Sequence, residues 1–323
     1  MAGGFSNKLT KHWAMSHSMA SGSGLLDIQN LCYSDLALDL AKINQHQLPQ
    51  LQDHLYVRPL CEEAAKLVGQ KSGIPVCIGH PDGAMNQLGS NALTPGRMTL
   101  SVGTSAAMRL TAQSCATEHL QGNWFYYAPE HWLEGAAVGA TNNIDWFRNN
   151  LAPGMGFADL ESKDGITLDS PVFLPFLYGE SCPGWNDQNT VRFAELKGKH
   201  TIQDMYAAVQ EGILHVLYQY YRNLCQVHDV PKRVLLSGGI CKSERWMQMV
   251  ADLFGREIEI STVEQASMLG GAVLAMRSTG FISNLESISD QPVGRCLKPN
   301  PDKLELYWLR HERYLYHYYQ QQS

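Results

Sequence analysis

A glycine pair that follows an apolar strand is the part of this sequence best suited to bind a nucleotide. Residues 234–243 read VLLSGGICKS, so Gly238 and Gly239 end an apolar run and a helix is predicted to begin at Ser243. Glycines let a ligand approach the backbone closely, and the N–H groups at a helix N-terminus attract phosphate. The same pattern also occurs as an ordinary strand-to-helix turn, so the residues alone leave both interpretations open.

A second turn of this kind lies far upstream. Residues 100–105 read LSVGTS, and their spacing predicts a β-hairpin with Gly103, Thr104 and Ser105 at its tip. Hydroxyl and N–H groups at such a tip can hold phosphate oxygens. A tight turn uses the same residue types for structural reasons, so both interpretations remain open here as well.

Asp82 is the acidic residue whose position best suits catalysis. It lies in the sequence GHPDG, just after a predicted buried strand over residues 73–79. Open α/β sheets bind ligands at the carboxyl ends of such strands, so Asp82 could be a buried base that takes a proton from a hydroxyl attacking phosphorus. By position alone, an Asx-turn is the more frequent role for an aspartate in this setting.

Other polar residues are weaker candidates. His80 is predicted to be a hydrogen-bonded neighbour, and no metal ligands are predicted, because no second histidine or acid stands at ligand spacing. Glu180, Cys182, Trp185 and Asp187 fall in a turn-rich segment, for which a solvent-facing loop is expected. Neither a Walker A sequence nor a full G-x-G-x-x-G occurs.

Composition restricts the class of protein. The chain has 323 residues, of which 44% are hydrophobic, enough for one large core or two smaller ones. A net charge of -6 without a basic stripe argues against a nucleic-acid partner. No apolar segment reaches the roughly 20 residues of a membrane-spanning helix. None of the 8 cysteines forms a C-x-x-C pair, so we expect reduced core thiols in a cytoplasmic protein.

Hydrophobic periodicity indicates the elements that would hold these residues. The clearest helix covers residues 201–228 and carries one apolar stripe, and the spacing of Leu36, Leu40 and Ile43 predicts a helix over residues 36–43. Irregular chain is predicted over residues 1–17 and 152–170. Further helices are predicted over 61–68, 142–151, 243–254, 266–279 and 301–319, and strands over 97–102, 106–110, 124–127, 132–137, 233–236 and 257–260. This order predicts an α/β or α+β domain from about residue 94 onwards, after a smaller, incomplete unit.

Taken together, the motifs resemble those of the FGGY carbohydrate kinases. Their order is PVCIGHPD at 75–82, SVGTS at 101–105, YGESCPGW at 178–185 and LSGG at 236–239, followed by Trp246, Gln248, Ala251 and Asp252. The segment ASGSGLLD at 20–27 is most similar to the gluconokinase branch, with xylulokinases next. The resemblance extends over nearly the whole chain, from about Met19 to the C-terminal tyrosines.

The resemblance implies an α/β, actin-like ATPase (ribonuclease H-like) fold in two domains, with ATP–Mg²⁺ and a sugar meeting in the cleft. It implies a gluconokinase-like phosphotransferase that moves the γ-phosphoryl group of ATP to a hydroxyl of a sugar or sugar acid, with gluconate the favoured acceptor. Asp82 would be the catalytic base acting on the primary hydroxyl, with Gly83 beside the substrate. A helix starting near residues 139–143 would border the nucleotide. The ATP-binding residues would be Gly103, Thr104, Ser105, Gly238, Gly239 and Ser243.

One motif of the family has no counterpart in this sequence. FGGY kinases resemble one another first in an N-terminal strand and turn reading Asp-Ile-Gly-Thr-Thr/Ser, which binds phosphate and magnesium. We therefore expect a C-terminal portion of a kinase. Residues 1–93 would be a remnant of the N-terminal sugar-binding domain, and residues 94–323 a complete C-terminal nucleotide-binding domain. Such a remnant would bury little core of its own.

Two functional hypotheses from different classes follow. In the first, the protein is a sugar kinase, but the isolated chain binds ATP weakly and does not phosphorylate gluconate, since part of both sites is missing. In the second, it is a non-catalytic or split-subunit fragment that acts through nucleotide binding or association, as a homodimer or with a complementing N-terminal half. An actin-like ATPase of the chaperone kind would need neither Asp82 nor the loop at residues 180–185, and it is the least favoured.

Overall fold

The first part of the chain folds into short elements whose strands pair only two at a time. The computed structural model of the protein describes residues 2–115, 122–163, 165–285 and 293–322. Up to residue 89 its elements are α1 (Ala2–Thr10), β1 (Ala14–Ser16), α2 (His17–Ser21), β2 (Leu26–Asp27), β3 (Cys32–Tyr33), α3 (Asp35–Ala41), β4 (Gln50–Gln52), β5 (Val57–Pro59), α4 (Glu62–Val68), β6 (Pro75–Cys77) and α5 (Asp82–Gly89). β1 pairs in parallel with β4, whereas β2–β3 and β5–β6 are antiparallel. Isolated strand pairs are marginally stable, so these elements depend on packing against their neighbours.

A seven-stranded mixed sheet forms the centre of the fold. The remaining elements are β7 (Arg97–Val102), β8 (Ser105–Ala112), β9 (Trp124–Ala128), β10 (His131–Gly139), α6 (Thr141–Asn150), α7 (Phe157–Leu160), β11 (Val172–Leu174), β12 (Arg192–Ala194), α8 (Ile202–Val227), β13 (Arg233–Gly238), α9 (Glu244–Phe254), β14 (Ile258–Ser261), α10 (Ala266–Ser278), β15 (Val293–Leu297) and α11 (Pro301–Gln322). The strand order in the sheet is β15-β14-β13-β7-β8-β10-β9. Because β13 runs parallel to β7 and β14, the carboxyl ends of these three strands lie at one edge.

The apolar face of this sheet packs against the long helix α8. Thr201 caps α8 by accepting a hydrogen bond from Asp204 N, and the predicted stripe that includes Val209, Ile213 and Leu217 is fully buried. This stripe joins alternate residues of β7, β8 and β10 and the inner sides of α9 and α11 in one large apolar cluster. Burial of that cluster supplies the main driving force for folding.

The opposite face of the sheet carries α5, which crosses α10 at very close range. A Cβ atom on Gly89 would lie against Ala266 O, and one on Gly270 would lie against Met85 O, so only glycines allow this approach. α5, β10 and α10 share a second apolar cluster. α5 thus packs with elements that follow residue 94 in sequence, and the predicted domain boundary at residues 93–94 stays a prediction.

An ion pair buried under α11 ties the C-terminal helix to α8. Arg310 is fully buried, and its guanidinium donates to Glu211 Oε2 (2.5 Å), Ser170 O (2.5 Å) and Pro171 O (2.8 Å). Burial alone would raise the pKa of the Glu211 carboxyl, but Arg310 and His215 lower it to about 2. Each nitrogen of the Arg310 guanidinium has an acceptor, which is the condition under which a buried charge is tolerated.

Most predicted elements are present, and the exceptions lie mainly in the first part of the chain. Residues 1–17 were predicted to be irregular, yet α1 and β1 form there within the described residues. The helical spacing of Leu36 and Leu40 does not mark the buried side of α3, because these residues are 71% and 76% exposed, whereas Leu38 is buried. α3 has only two turns, so its apolar spacing could not tell which side meets the core. The predicted loop at 152–170 contains α7, and its residue 164 lies outside the described residues.

From the sequence, reduced core thiols and no membrane-spanning helix were expected. All eight cysteines are free thiols. The expectation of core thiols is wrong for most of them, because Cys182 is buried, Cys32 and Cys296 are exposed and the others are half-buried. No helix among the described residues has the length and apolar content needed to cross a membrane.

The α5–α10 crossing can be tested with two adjacent glycines of α10. Replacing Gly270 by alanine should lower the free energy of unfolding by about 1–3 kcal/mol, because the new methyl group meets the Met85 carbonyl. Replacing Gly271 is the matched control, since a Cβ there meets nothing within 4 Å. Gly271→Ala should be neutral or stabilise by up to about 1 kcal/mol. Urea denaturation measures both, and equal effects would contradict the crossing.

The buried ion pair makes a second prediction. Arg310→Met should lower the free energy of unfolding by about 3–5 kcal/mol, because it leaves the Glu211 carboxylate buried without its cation. Arg222→Met is the control, since Arg222 lies 3.9 Å from Glu312 on the exposed surface, where ion pairs contribute about 0–1 kcal/mol. Thermal and urea denaturation report both changes. A cost below about 1 kcal/mol for Arg310→Met would show that the pair is dispensable.

Candidate functional site

The turn between β7 and β8 is fixed against the start of α6. Gly103 O accepts a hydrogen bond from Thr141 N (2.9 Å), and Thr104 O accepts one from Ala140 N (3.0 Å). The side chains of Thr104 and Ser105 are exposed at this tip. The predicted hairpin is therefore present, and its hydroxyl groups lie next to a helix N-terminus, where anions are favoured.

The glycine pair at the end of β13 lies beside the same edge of the sheet. Gly238 has φ 95° and ψ -163°, a conformation that other residues avoid, and a Cβ atom there would lie 2.5 Å from Val102 O. Gly238 is thus required by the close pairing of β13 with β7. Gly239 is different, because a Cβ atom would be 3.6 Å from Val102 O and 3.9 Å from Thr141 Cγ2. The two predicted phosphate turns are neighbours at one edge.

A cavity of about 410 Å³, here called the strand-end cavity, opens beside Gly238. It lies at the carboxyl ends of β7, β13 and β14, where α/β sheets usually bind ligands. Its lining includes Ser101, Ser237, Gly238 and Lys242 from the strand ends, together with Asn86 and Ser90 from α5.

Ser243 already has protein partners. Its hydroxyl accepts from Trp246 N (3.1 Å) and so caps α9, which begins where the sequence predicted. The same hydroxyl donates to Glu161 Oε1 (2.8 Å), which anchors the segment after α7. These bonds give Ser243 a structural role, and its contact with ATP stays a prediction.

Asp82 is exposed, contrary to the buried position expected from the sequence. The predicted strand over residues 73–79 is too long, because β6 covers only Pro75–Cys77. This strand pairs with β5 and is partly exposed. Asp82 is the first residue of α5, where a carboxylate is favoured by the helix dipole. The expected Asx-turn is replaced by this helix start. The expectation of a buried Asp82 failed because a strand of only three residues does not bury the residues that follow it.

A second cavity of about 410 Å³, here called the Asp82 cavity, lies over the start of α5. Asp82 and Gly83 line it, opposite Arg109 of β8 and Tyr126 of β9. The site of a Cβ on Gly83 is only 2.7 Å from Tyr126 Oη and 2.9 Å from Arg109 Nε, so both side chains pack directly against this glycine. The sequence argument missed Arg109 and Tyr126. The one available signal was a lone charge in the apolar strand AAMRLTA.

The buried side chain of Gln87 holds α5 on the sheet. Its amide donates to Thr111 Oγ1 (3.1 Å) and Ala92 O (2.9 Å), and its carbonyl accepts from Thr99 Oγ1 (2.7 Å). Gly83 lies one helical turn before Gln87, on the same side of α5. Because Gln87 is fixed over β7 and β8, Gly83 is held over the neighbouring position of the sheet, where Arg109 lies.

The loop over residues 178–187 is anchored rather than solvent-facing. Glu180 is buried and accepts hydrogen bonds from Tyr318 Oη (2.8 Å), Asn189 Nδ2 (2.6 Å) and Gly184 N (3.3 Å). Burial raises the pKa of the Glu180 carboxyl, and these donors oppose the rise. Cys182 is buried as well, so the prediction of a solvent-facing loop is wrong for both residues. Partners from distant segments, absent from any local pattern, cause this difference.

The same loop faces the start of α6. Trp185 and Asp187 are exposed, as predicted, and Trp185 Nε1 donates to Gly122 O (2.7 Å). The loop and α6 enclose a third cavity of about 400 Å³, to which Gly139 and Asn142 contribute. The predicted helix near residues 139–143 therefore borders a cavity.

His80 has the structural role that the sequence predicted. Its Nδ1 lies 3.1 Å from Ile78 O, and burial lowers the pKa of its imidazole to about 4. The described part of the chain contains no group of three or more histidine, cysteine, aspartate or glutamate side chains that could hold a metal ion.

Two family models match this chain. The model "FGGY family of carbohydrate kinases, C-terminal domain" matches residues 98–279, and the model of the N-terminal domain of the same family matches residues 5–89. Apart from Ser90, they cover all the residues that line the two cavities bordered by α5.

Several characterised proteins are similar over most of this chain. Gluconokinase from Bacillus licheniformis is 30% identical over 304 residues, which are 88% of this chain and 58% of that protein. Xylulose kinase from Escherichia coli (strain K12) is 26% identical over 95% of this chain and 65% of its own length. The chain spans 58% of the length of the gluconokinase from Bacillus licheniformis and 60% of the length of the gluconokinase from Bacillus subtilis (strain 168).

Solved structures agree with the sequence matches. Ligand-bound xylulose kinase from Lactobacillus acidophilus has a TM-score of 0.91 at 27% identity, covering 97% of this chain and 66% of that chain. Gluconate kinase from the same organism has a TM-score of 0.90 at 27% identity, covering 97% and 65%. The α/β, actin-like fold expected from the sequence is confirmed.

The glycine pair can be separated by mutation. Gly238→Ala should lower the free energy of unfolding by about 1–3 kcal/mol, because alanine is strained at this φ and ψ and its methyl group meets Val102 O. Gly239→Ala is the matched control and should change stability by less than about 1 kcal/mol, since its nearest neighbours are at ordinary contact distance. Urea denaturation of both variants checks this. Equal costs would mean that Gly238 is not the residue that the strand pairing requires.

Proposed function

This chain belongs to the FGGY family of carbohydrate kinases, and we propose that it takes part in transferring the γ-phosphoryl group of ATP to a hydroxyl of a sugar or sugar acid. The observation that supports this most is the position of α5 between two cavities. Asp82 and Gly83 line the Asp82 cavity, while Asn86 and Ser90, further along the same helix, line the strand-end cavity. One rigid element thus borders both a proposed acceptor site and a proposed phosphate site.

On the acceptor side, Asp82 has the properties of a general base. Its carboxylate is exposed at the wall of a cavity large enough for a six-carbon substrate. Phosphoryl transfer needs little covalent chemistry from the protein, so an oriented hydroxyl and a nearby proton acceptor are its main requirements. In this proposal Asp82 accepts the proton of the attacking hydroxyl, and Gly83 lies beside the substrate.

On the ATP side, the two turns offer groups that suit a triphosphate. Thr104 and Ser105 present hydroxyls beside the start of α6, and Gly239 offers backbone that no side chain covers. Such donors bind phosphate oxygens without a positive side chain. This arrangement fits ATP.

Magnesium would accompany the nucleotide. Mg²⁺ is usually held by substrate phosphates, water and one or two carboxylates, and it would neutralise charge on the triphosphate. Asp82 of the Asp82 cavity and Glu264 of the strand-end cavity are carboxylates that could approach such an ion.

The proposed acceptor is gluconate, with other sugar acids and xylulose as alternatives. Gluconokinase from Bacillus licheniformis and gluconate kinase from Lactobacillus acidophilus are among the similar proteins, and xylulose kinases are similar at somewhat lower sequence identity in the curated matches. Identity near 30% does not by itself fix the acceptor, so the choice depends on the residues of the Asp82 cavity.

Association with another polypeptide is a second candidate function. A cavity of about 600 Å³ in the first part of the chain has an apolar lining that includes Phe5, Leu9, Met15, Met19 and Val76. The neighbouring β1–β4 pair has only two strands, and such pairs usually form part of a larger sheet. Both features would suit a second copy or a complementing polypeptide.

The proposed phosphate site predicts that a negative charge at residue 104 lowers the affinity for ATP–Mg²⁺. Thr104→Asp should weaken ATP–Mg²⁺ binding at least about fivefold, because a carboxylate near the phosphates repels them by about 1 kcal/mol or more. The exposed position should leave the melting temperature nearly unchanged. Thr190→Asp adds the same charge at an exposed position away from the cavities and should bind like the unsubstituted protein. Isothermal titration calorimetry measures all three.

The outcomes separate the two candidate functions. Unchanged ATP affinity in Thr104→Asp would contradict the proposed phosphate site. Oligomerisation without any nucleotide-dependent rise in melting temperature would favour the association function. Phosphorylation of gluconate by this chain alone would support the kinase function directly and contradict the expectation that the chain is inactive in isolation.

A further inference from the structure

Arg109 and Tyr126 lie beside Asp82 and interact with each other. Within the described residues, neither Arg109 Nε nor Tyr126 Oη has a partner with full hydrogen-bond geometry, although both atoms are buried. Both residues line the Asp82 cavity. Leaving buried polar atoms unsatisfied is costly, so such a cluster at a cavity wall indicates a ligand that completes it.

Arg109 has no carboxylate partner, in contrast to Arg310 and Arg233. Arg310 pairs with Glu211, and Arg233 pairs with Glu259. Within the described residues, no aspartate or glutamate oxygen lies within 4 Å of the Arg109 guanidinium. A guanidinium remains charged at any physiological pH and binds planar carboxylates through two parallel hydrogen bonds. The missing partner is therefore expected to be an anion brought by the ligand.

The register of the sheet explains how this charge reaches the cavity. Arg109 of β8, Gly135 of β10 and Trp124 of β9 lie directly opposite one another on neighbouring strands. Because Gly135 has no side chain, the indole of Trp124 lies across it, and a Cβ on Gly135 would be 2.9 Å from Trp124 Cζ2. An aromatic wall thus stands beside the guanidinium. Such a wall suits the C–H groups of a polyol chain.

We infer that Arg109 and Tyr126 form a subsite for the carboxylate of the acceptor, so that the Asp82 cavity selects sugar acids over neutral sugars. The inference rests on the proposed function, since it assumes that the acceptor binds in this cavity. The carboxylate would accept hydrogen bonds from the guanidinium and from the phenol, and the polyol chain would lie along Trp124 towards Asp82.

The state of the phenol is consistent with this role. Burial raises the pKa of Tyr126 to about 12, and the Arg109 guanidinium opposes that rise only in part. Tyr126 therefore keeps its proton at neutral pH and can donate it in a hydrogen bond to a carboxylate oxygen. An ionised phenol would instead neutralise Arg109 and remove the need for a ligand anion.

Gluconate and D-glucitol form a matched pair of ligands for the test. They share the same polyol chain, and glucitol carries a hydroxymethyl group where gluconate has its carboxylate. Calorimetry on the full chain should show that the unsubstituted protein binds gluconate at least about tenfold more tightly than glucitol, since charge-assisted hydrogen bonds to a buried group are strong. Arg109→Met should reduce gluconate affinity to the level of glucitol and leave glucitol affinity and ATP–Mg²⁺ affinity unchanged.

Two further variants keep the test valid if Arg109→Met does not fold. Tyr126→Phe retains the ring and should weaken gluconate binding about two- to tenfold without changing glucitol binding. Arg109→Lys retains the charge but not the planar fork, and it should keep part of the preference for gluconate. Melting temperatures identify any variant whose fold is damaged.

Several outcomes would overturn the inference and leave the proposed function standing. These are equal affinity of the unsubstituted protein for gluconate and glucitol, no gluconate binding at tens of millimolar while ATP–Mg²⁺ still binds, or equal weakening of both ligands by Arg109→Met. If Arg109→Met weakened ATP–Mg²⁺ binding instead, Arg109 would act on a phosphate and not on the acceptor. If the unsubstituted protein did not bind ATP–Mg²⁺ at all, the proposed function itself would be contradicted.

Discussion

The close packing of α5 between α10 and the central sheet is the constraint on which the site depends. Gly89 and Gly270 let the two helix backbones meet, and the buried Gln87 amide fixes α5 over β7 and β8 through three hydrogen bonds. A buried amide with all its partners tolerates little displacement, because any shift leaves polar atoms unsatisfied. Asp82 and Gly83 lie at the start of α5, so they are held in a fixed position as well.

This constraint also explains why the two faces of one sheet have different roles. One face is apolar, packs against α8 and provides most of the buried core. The other face carries Thr99, Arg109 and Thr111, which bind α5 or line a cavity. Because side chains alternate along β7 and β8, the apolar residues and these polar residues point to opposite faces of the sheet. The strand ends then add two glycine turns at the edge, so the proposed phosphate and acceptor sites adjoin the same helix.

The parts of the fold that the sequence predicted correctly are those whose pattern is long or chemically specific. α8 has seven turns and one stripe, and the Gly238–Gly239 turn needs a backbone conformation that only glycine adopts readily. The failures have a common cause. Leu36 and Leu40 lie on a helix too short to reveal its buried side, and Glu180 looked solvent-facing because its partners, Tyr318 and Asn189, are outside the local pattern.

The sequence was therefore sufficient for the family and the fold class, because four motifs stand in a specific order along the chain, and for the two glycine turns, because each lies within a few consecutive residues. Asp82 became the candidate base through the family resemblance. The exposure of Asp82 and its grouping with Arg109 and Tyr126 came only from tertiary packing. Those three residues lie on three different elements, and strand register and a helix crossing bring them together. Neither register nor crossing leaves a periodic signal in the chain, because both arise from contacts between segments far apart in sequence.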